Sequence, residues 1–177
     1  VNRGHSWGWT SPAILFFAVT SIVSLWLFVR FERAAEAPLM PLKWLRTPNI
    51  ILPIAIQALL NFAYMGGFIV VPQMLEIGLG YSASHVGWLI IARPLTFSIT
   101  APLASFFTMR AGERKSGVIG ACGVIASMLI LSSMASGSSD LLVVLGLGLS
   151  GIGFGIAAPA LTALVSNAVV DETIGVA

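Results

Sequence analysis

Charge is scarce in this chain. Only 9% of its 177 residues are Asp, Glu, Lys or Arg, where a soluble domain carries about a quarter. A water-soluble globule is excluded on that ground: a chain of this size buries only about 70% of its surface, and the hydrophobic 57% of its residues exceeds what such a globule can hide. The net charge of +2 sits in loops, so it reports topology and argues against a nucleic-acid partner. Cysteine is almost missing. The single Cys122 lies inside an apolar run and can form no internal disulfide. Histidine is as rare: His5 and His85 fall at or outside the ends of apolar runs, with no Cys or carboxylate at metal-ligand spacing, so no metal or other cofactor is expected. No serine is accompanied by a His/Asp arrangement, and no enzyme activity is expected. Carboxylates such as Glu76 and Asp140 stay near run ends, and none falls deep inside a run.

What the chain has in abundance is long apolar stretches. Five of them approach or exceed the ~20 residues that a helix needs to cross the ~30 Å hydrocarbon core: residues 11–29, 50–71 (with a possible continuation toward 77), 84–109, 116–134 and 141–169. Run length and the absence of alternation exclude strands. The expected fold is therefore all-α, a polytopic bundle of five transmembrane helices in a lipid bilayer. Ser11-Pro12 is the cap and first-turn pair of the first helix. The chain opens Val-Asn-Arg with no signal-peptide pattern and ends where another segment could begin. The expectation is a piece of a longer polytopic protein.

Orientation follows from the cations. Arg30, Arg33, Lys43 and Arg46 lie between the first two runs, and Arg110, Arg114 and Lys115 lie between the third and fourth. The other two connections have no Lys or Arg. The positive-inside bias places both basic loops in the cytoplasm, the N-terminal segment outside and the C-terminal tail inside. Trp7, Trp9 and Trp44 flank runs, as an interfacial belt would. The first connection contains Pro38, Pro41 and Pro48, and its charges Arg30, Glu32, Arg33 and Glu36 have helical spacing that could extend the first helix. A domain boundary is expected there, separating residues 1–47 from 48–177.

Several residues inside the runs are candidates for function. Arg93 lies nine residues into the third run, about 13–14 Å deep, where a cation facing lipid costs several kcal/mol. It either bonds backbone carbonyls of a neighbouring helix or snorkels outward, or it lines a pathway or pairs with a carboxylate elsewhere. Pro94 and Pro102 deprive the carbonyls of Ile90 and Ser98 of their donors, so bends are expected. Gln57, Asn61, Tyr64 and Phe68 fall on one stripe of the second helix. Amides and a phenol in lipid need partners, so the stripe faces inward, either as interhelical glue or as a cavity wall. Gly66-Gly67 beside it allows close packing or unwinding. The fifth run holds Gly146, Gly148, Gly151, Gly153 and Gly155, then Pro159, which frees the Gly155 carbonyl for a bend. Residues 146–151 match a dinucleotide fingerprint in form only, with no preceding strand. Small residues at this spacing are a helix-packing face.

The turn between the third and fourth runs carries a resemblance. Residues 102–115, P-L-A-S-F-F-T-M-R-A-G-E-R-K, are similar to the cytoplasmic loop signature of the major facilitator superfamily, roughly G-x-x-x-D-R-x-G-R-R. Arg110, Gly112 and Arg114 match, and Lys115 continues the basic end. Ser105, Met109 and Glu113 stand where that signature has glycine, aspartate and arginine, as in the weaker second-half copy. Residues 4–12, G-H-S-W-G-W-T-S-P, and 31–42, F-E-R-A-A-E-A-P-L-M-P-L, resemble the fourteen-helix drug:proton antiporter branch, in which they bracket the eighth helix. The five runs would then be the eighth to twelfth helices, and 48–177 the first four helices of the second transporter domain.

The resemblance implies alternating access around a central cavity lined by the second and fifth runs, with Gln57, Asn61, Tyr64, Phe68 and Arg93 as cavity candidates. It implies export of small lipophilic compounds, often cationic, in exchange for protons, at the bacterial inner membrane and together with the rest of the same transporter chain. An exporter of one endogenous metabolite, or a non-transporting remnant kept for helix packing, are the alternatives.

Overall fold

The computed structural model describes residues 11–35, 42–135 and 137–174, and side chains at 42, 43 and 170–174 fall outside that description. Trp7, Trp9, His5, Glu36, Pro38 and Pro41, with most of the two stretches that resemble the antiporter branch, lie outside the described residues. Regular structure in the described residues is entirely helical. α1 is Pro12–Ala34, followed by a 3-10 turn at Leu42–Arg46. α2 is Pro48–Gln73 and passes into a π-helical turn, Met74–Gly78. Then come α3 (Ala83–Ile90), α4 (Ala92–Ala111), α5 (Glu113–Ser132) and α6 (Asp140–Ile174). Among the described residues five stretches are long and apolar enough to cross a membrane, α3 and α4 counting as one. The all-α membrane bundle expected from the sequence is the fold observed.

The boundaries have local causes. The Ser11 side chain accepts from the Ile14 N–H and starts α1, which continues about one turn past residue 29, as the spacing of its charges suggested. The π turn follows Pro72, whose missing N–H disturbs the regular ladder. The third run is interrupted at Ile91, three residues before Pro94, where the Ile90 carbonyl loses its donor. Pro102 and Pro159, by contrast, sit inside unbroken helices. Gly112 has φ of 85°, a conformation open to glycine. Its N–H caps α4 at Thr108 and its carbonyl accepts from the Ser116 N–H at the start of α5, so two antiparallel helices meet at one residue.

The chain forms two compact units, Val1–Arg46 and Thr47–Ala177. Within the first, the membrane-length part of α1 buries none of its residues, and Phe16, Ile22 and Trp26 stand exposed along it. Such a helix needs lipid or further protein around it. Within the second unit α6 is the hub, packed most extensively against α5 and α4 and less so against α2. More than half of its spanning window is buried, 56%, against 17% for α2, so α6 is the interior helix. One core cluster gathers Val71, Leu75, Val86, Leu89, Leu131, Val143 and Leu147. The other joins Leu60, Tyr64, Val124, Phe154, Ala157 and Leu161. Outward residues such as Phe62, Trp88 and Leu129 remain exposed, as a lipid-facing surface requires.

Candidate functional site

Arg93 is inside the bundle and 1% exposed. From the first turn of α4 it reaches across to both neighbours: Nη1 donates to the Tyr64 carbonyl of α2 at 3.0 Å, and Nε donates to Ser150 Oγ of α6 at 2.7 Å. Its Cζ stands 4.7 Å from the centre of the Tyr64 ring and 5.3 Å from that of Phe68. Carbonyl dipole, hydroxyl and two ring faces together offset part of the cost of a cation at this depth. The backbone-carbonyl partner weighed in the sequence is present, and no snorkelling occurs. Nη2 has no partner among the described residues.

Space for the guanidinium comes from α2. A Cβ on Gly67 would fall onto Arg93 Nη1, 2.6 Å from Nη2 and 2.9 Å from Cζ. Gly66 has nothing within 4 Å of such an atom. The glycine pair therefore serves a close approach at one of its members, and α2 runs through it without unwinding.

The stripe on α2 divides at its middle. Tyr64, 4% exposed, stacks on Phe154 of α6 with centroids 4.3 Å apart and planes 12° from parallel. It also meets Phe68 edge-on at 5.5 Å and Phe97 of α4 at 6.0 Å. Gln57 and Asn61 are half-buried and no hydrogen bond links them to Arg93 among the described residues. The Asn61 amide donates to the Gln57 carbonyl on its own helix, and Gln57 Oε1 is buried with no partner among the described residues. Arg93, Tyr64 and Phe68 are thus brought together; Gln57 and Asn61 are not part of that cluster. Ser150, Phe154 and Phe97 belong to it and were not singled out as site residues in the sequence. Their only signal was a position on an apolar helix shared with many similar residues.

The glycines of α6 face two partners. Gly151 would collide through a Cβ with the Thr96 hydroxyl and the Arg93 carbonyl of α4, and Gly155 would press on Thr100 at 3.1 Å. Gly146 lies against Leu131 of α5, at 3.0 Å from an added Cβ. A Cβ on Gly153 would stand 2.7 Å from the Gly120 carbonyl and the Val124 nitrogen, and one on Gly120 would run into Ala157. Gly120 and Gly123, on α5, complete this contact and were not anticipated. Thr96 Oγ1 lies 3.0 Å from the Gly148 carbonyl, a polar link between α4 and α6. Pro159 is in the continuous part of α6, half-buried.

At one end of the bundle Arg110, Arg114 and Lys115 are exposed around Gly112. Glu113, which departs from the loop signature, accepts from the Asn167 amide of α6 at 2.6 Å and places its charge in the first turn of α5, where the helix dipole favours it. Beside it is a cavity of about 900 Å³ between α2, α5 and α6, with Leu52, Ile56, Val118, Leu161 and Leu164 as apolar walls and Arg114 at its rim. The space is large enough for a drug-sized molecule or for the side chains of another helix. None of the five cavity candidates lines it.

A second polar cluster ties the connections at Tyr81 and Ser138. His85 Nε2 is 2.8 Å from Asp140 Oδ2, the Tyr81 hydroxyl donates to the Ser138 carbonyl at 3.0 Å, and the rings of Tyr81 and His85 stack at 5.1 Å. Loss of solvent, then the neighbouring Asp140, push the Tyr81 hydroxyl above the ordinary tyrosine value. It therefore stays protonated and donating at neutral pH, and the bond is lost only as pH rises beyond the usual tyrosine range.

Relatives extend over the whole of this architecture. The chain is 31% identical over 177 residues to the multidrug resistance protein Stp of Mycobacterium tuberculosis, covering 100% of this chain and 33% of Stp. A tetracycline resistance determinant of Streptomyces rimosus is 24% identical over 181 residues, covering 99% of this chain and 51% of that protein. An uncharacterized MFS-type transporter of Mycobacterium tuberculosis is 26% identical over 175 residues, covering 98% of this chain and 26% of the relative. The chain thus spans about a third of the length of Stp. No family model and no solved structure matches it.

Proposed function

We propose that the chain belongs to the major facilitator superfamily and, from that premise, that it forms part of a multidrug-type efflux transporter working by alternating access. The observation that carries this reading is the end-to-end similarity to a multidrug resistance protein, 31% over all 177 residues. In this reading residues 1–47 are a linker with one membrane helix, and 48–177 are the first four helices of the second transporter domain. The basic Gly112 turn faces the cytoplasm, and the Tyr81–Ser138 end faces outward. α2 and α6 line the central cavity, and Arg93, Tyr64 and Phe68 stand between them. Substrates are small lipophilic compounds, cations among them, and protons drive their export at the bacterial inner membrane.

The physical support is of two kinds. Aromatic rings and few polar groups, as in the Tyr64–Phe68–Phe97–Phe154 cluster, suit loosely selective recognition of amphipathic aromatic compounds. The small-residue contacts of α6 let three helices approach to backbone distance, and rigid packing of this kind is what a rocking domain needs. The test is export from cells that produce the intact transporter. A panel of lipophilic dyes should leave faster than from control cells, and a protonophore should abolish the difference. Efflux that equals the control rejects multidrug export; efflux that survives the protonophore rejects proton coupling.

A further inference from the structure

Arg93 has more hydrogen-bonding capacity than its neighbours use. A guanidinium presents five N–H groups in a plane, and here Nε and Nη1 are occupied while both hydrogens of Nη2 lack an acceptor, in a residue 1% exposed. No carboxylate among the described residues pairs with it. A buried charge in that condition is costly, and whatever neutralises it gains what the described residues leave unclaimed. The surroundings say what shape that group has. Tyr64 and Phe68 present ring faces to the guanidinium, and Phe97 and Phe154 continue the aromatic wall around Tyr64. Phe68, 37% exposed, separates Arg93 from the surface of α2.

We propose that Arg93 is an acceptor-recognising subsite within the efflux site of the preceding reading, for compounds that carry an anionic oxygen on a flat aromatic ring. The oxygen would bond Nη2, and the ring would lie against Phe68, since the Tyr64 ring is already taken by Phe154 and the guanidinium. This narrows the substrate class at this position. A fixed positive charge away from water attracts a carboxylate or phenolate and repels an organic cation, so the compounds held here are anions or zwitterions, with cations held elsewhere in the cavity. Phe68 is the cover of the subsite, because its ring is the most exposed part of the cluster.

The test compares fluorescein with a rhodamine ester, an anion and a cation on the same xanthene ring. Binding of each is measured by fluorescence polarisation on the purified intact transporter. Arg93→Gln should weaken fluorescein at least ~10-fold, the scale of one charge-assisted hydrogen bond, and leave the rhodamine ester unchanged or tighter. Equal losses for both dyes, or no change for either, overturn the subsite. Phe68→Ala keeps Arg93 and its two bonds, so it serves where Arg93→Gln does not fold. It should speed fluorescein association without speeding the rhodamine ester, and unchanged association overturns the role of the cover and the subsite with it. Wild-type protein that exports the rhodamine ester but does not bind fluorescein overturns the subsite and leaves multidrug export standing. Protein that binds fluorescein with the expected Arg93 dependence but exports no dye does the reverse.

Discussion

Gly67 carries no side chain because the Arg93 guanidinium fills the place where one would stand. This sets two adjacent glycines apart. Gly66→Ala adds a methyl to open space and gains helix propensity, so it should be neutral or stabilising by up to ~1 kcal/mol. Gly67→Ala must displace Arg93 and loosen its bond to the Tyr64 carbonyl, and should cost about 1–3 kcal/mol, the usual range for overpacking. Thermal unfolding of the two variants of the intact protein in detergent measures the contrast. Equal melting temperatures would mean that Arg93 repositions freely and that the approach of α2 is not what holds it. Glu113 makes a second residue-scale point: a departure from the loop signature is explained by its bond to Asn167, which an arginine at that position could not make in the same way.

At the scale of elements, α6 holds the second unit together through surfaces of small residues. Gly153 faces Gly120 and Val124 of α5, while Gly151 and Gly155 face α4. Lipid is as apolar as the side chains, so burial of hydrocarbon cannot drive this association; close van der Waals contact and polar links such as Thr96 to the Gly148 carbonyl take its place. Gly153→Leu must push α5 and α6 apart at backbone contacts that have no flexible side chain to yield. It should sharply lower the yield of monodisperse protein in size-exclusion chromatography. Gly87→Leu, at a position with nothing within 4 Å, should not. The interruption at Ile91 belongs to this scale too, since it places Arg93 in the first turn of a new helix and so sets the angle from which the arginine enters the bundle.

The whole molecule is organised by the bilayer. Basic residues collect at the Gly112 end, and the Tyr81, His85 and Asp140 cluster joins the connections at the other. With Cys122, an exposed thiol, replaced by Ala, a cysteine at Lys115 should react with a membrane-impermeant reagent only from the cytoplasmic side, and one at Ser139 only from outside. Labelling of both from one side, or in the reverse sense, would refute the orientation proposed from the loop charges.

Composition and run length were enough to determine the all-α membrane class of this chain and the five membrane-length helices among its described residues, because lipid forces each crossing helix to satisfy its own backbone and to be apolar for about 20 residues. Those demands are local and are written into consecutive residues. The identity of the interior helix, the partner of each glycine and the company of Arg93 were decided by tertiary structure. Ser150, Phe154 and Gly120 look like dozens of other residues in greasy helices, and Gln57 and Asn61 share a stripe with Tyr64 without sharing its cluster. Periodicity tells which residues lie on one face of a helix, but only the packing of helices against each other tells what that face meets.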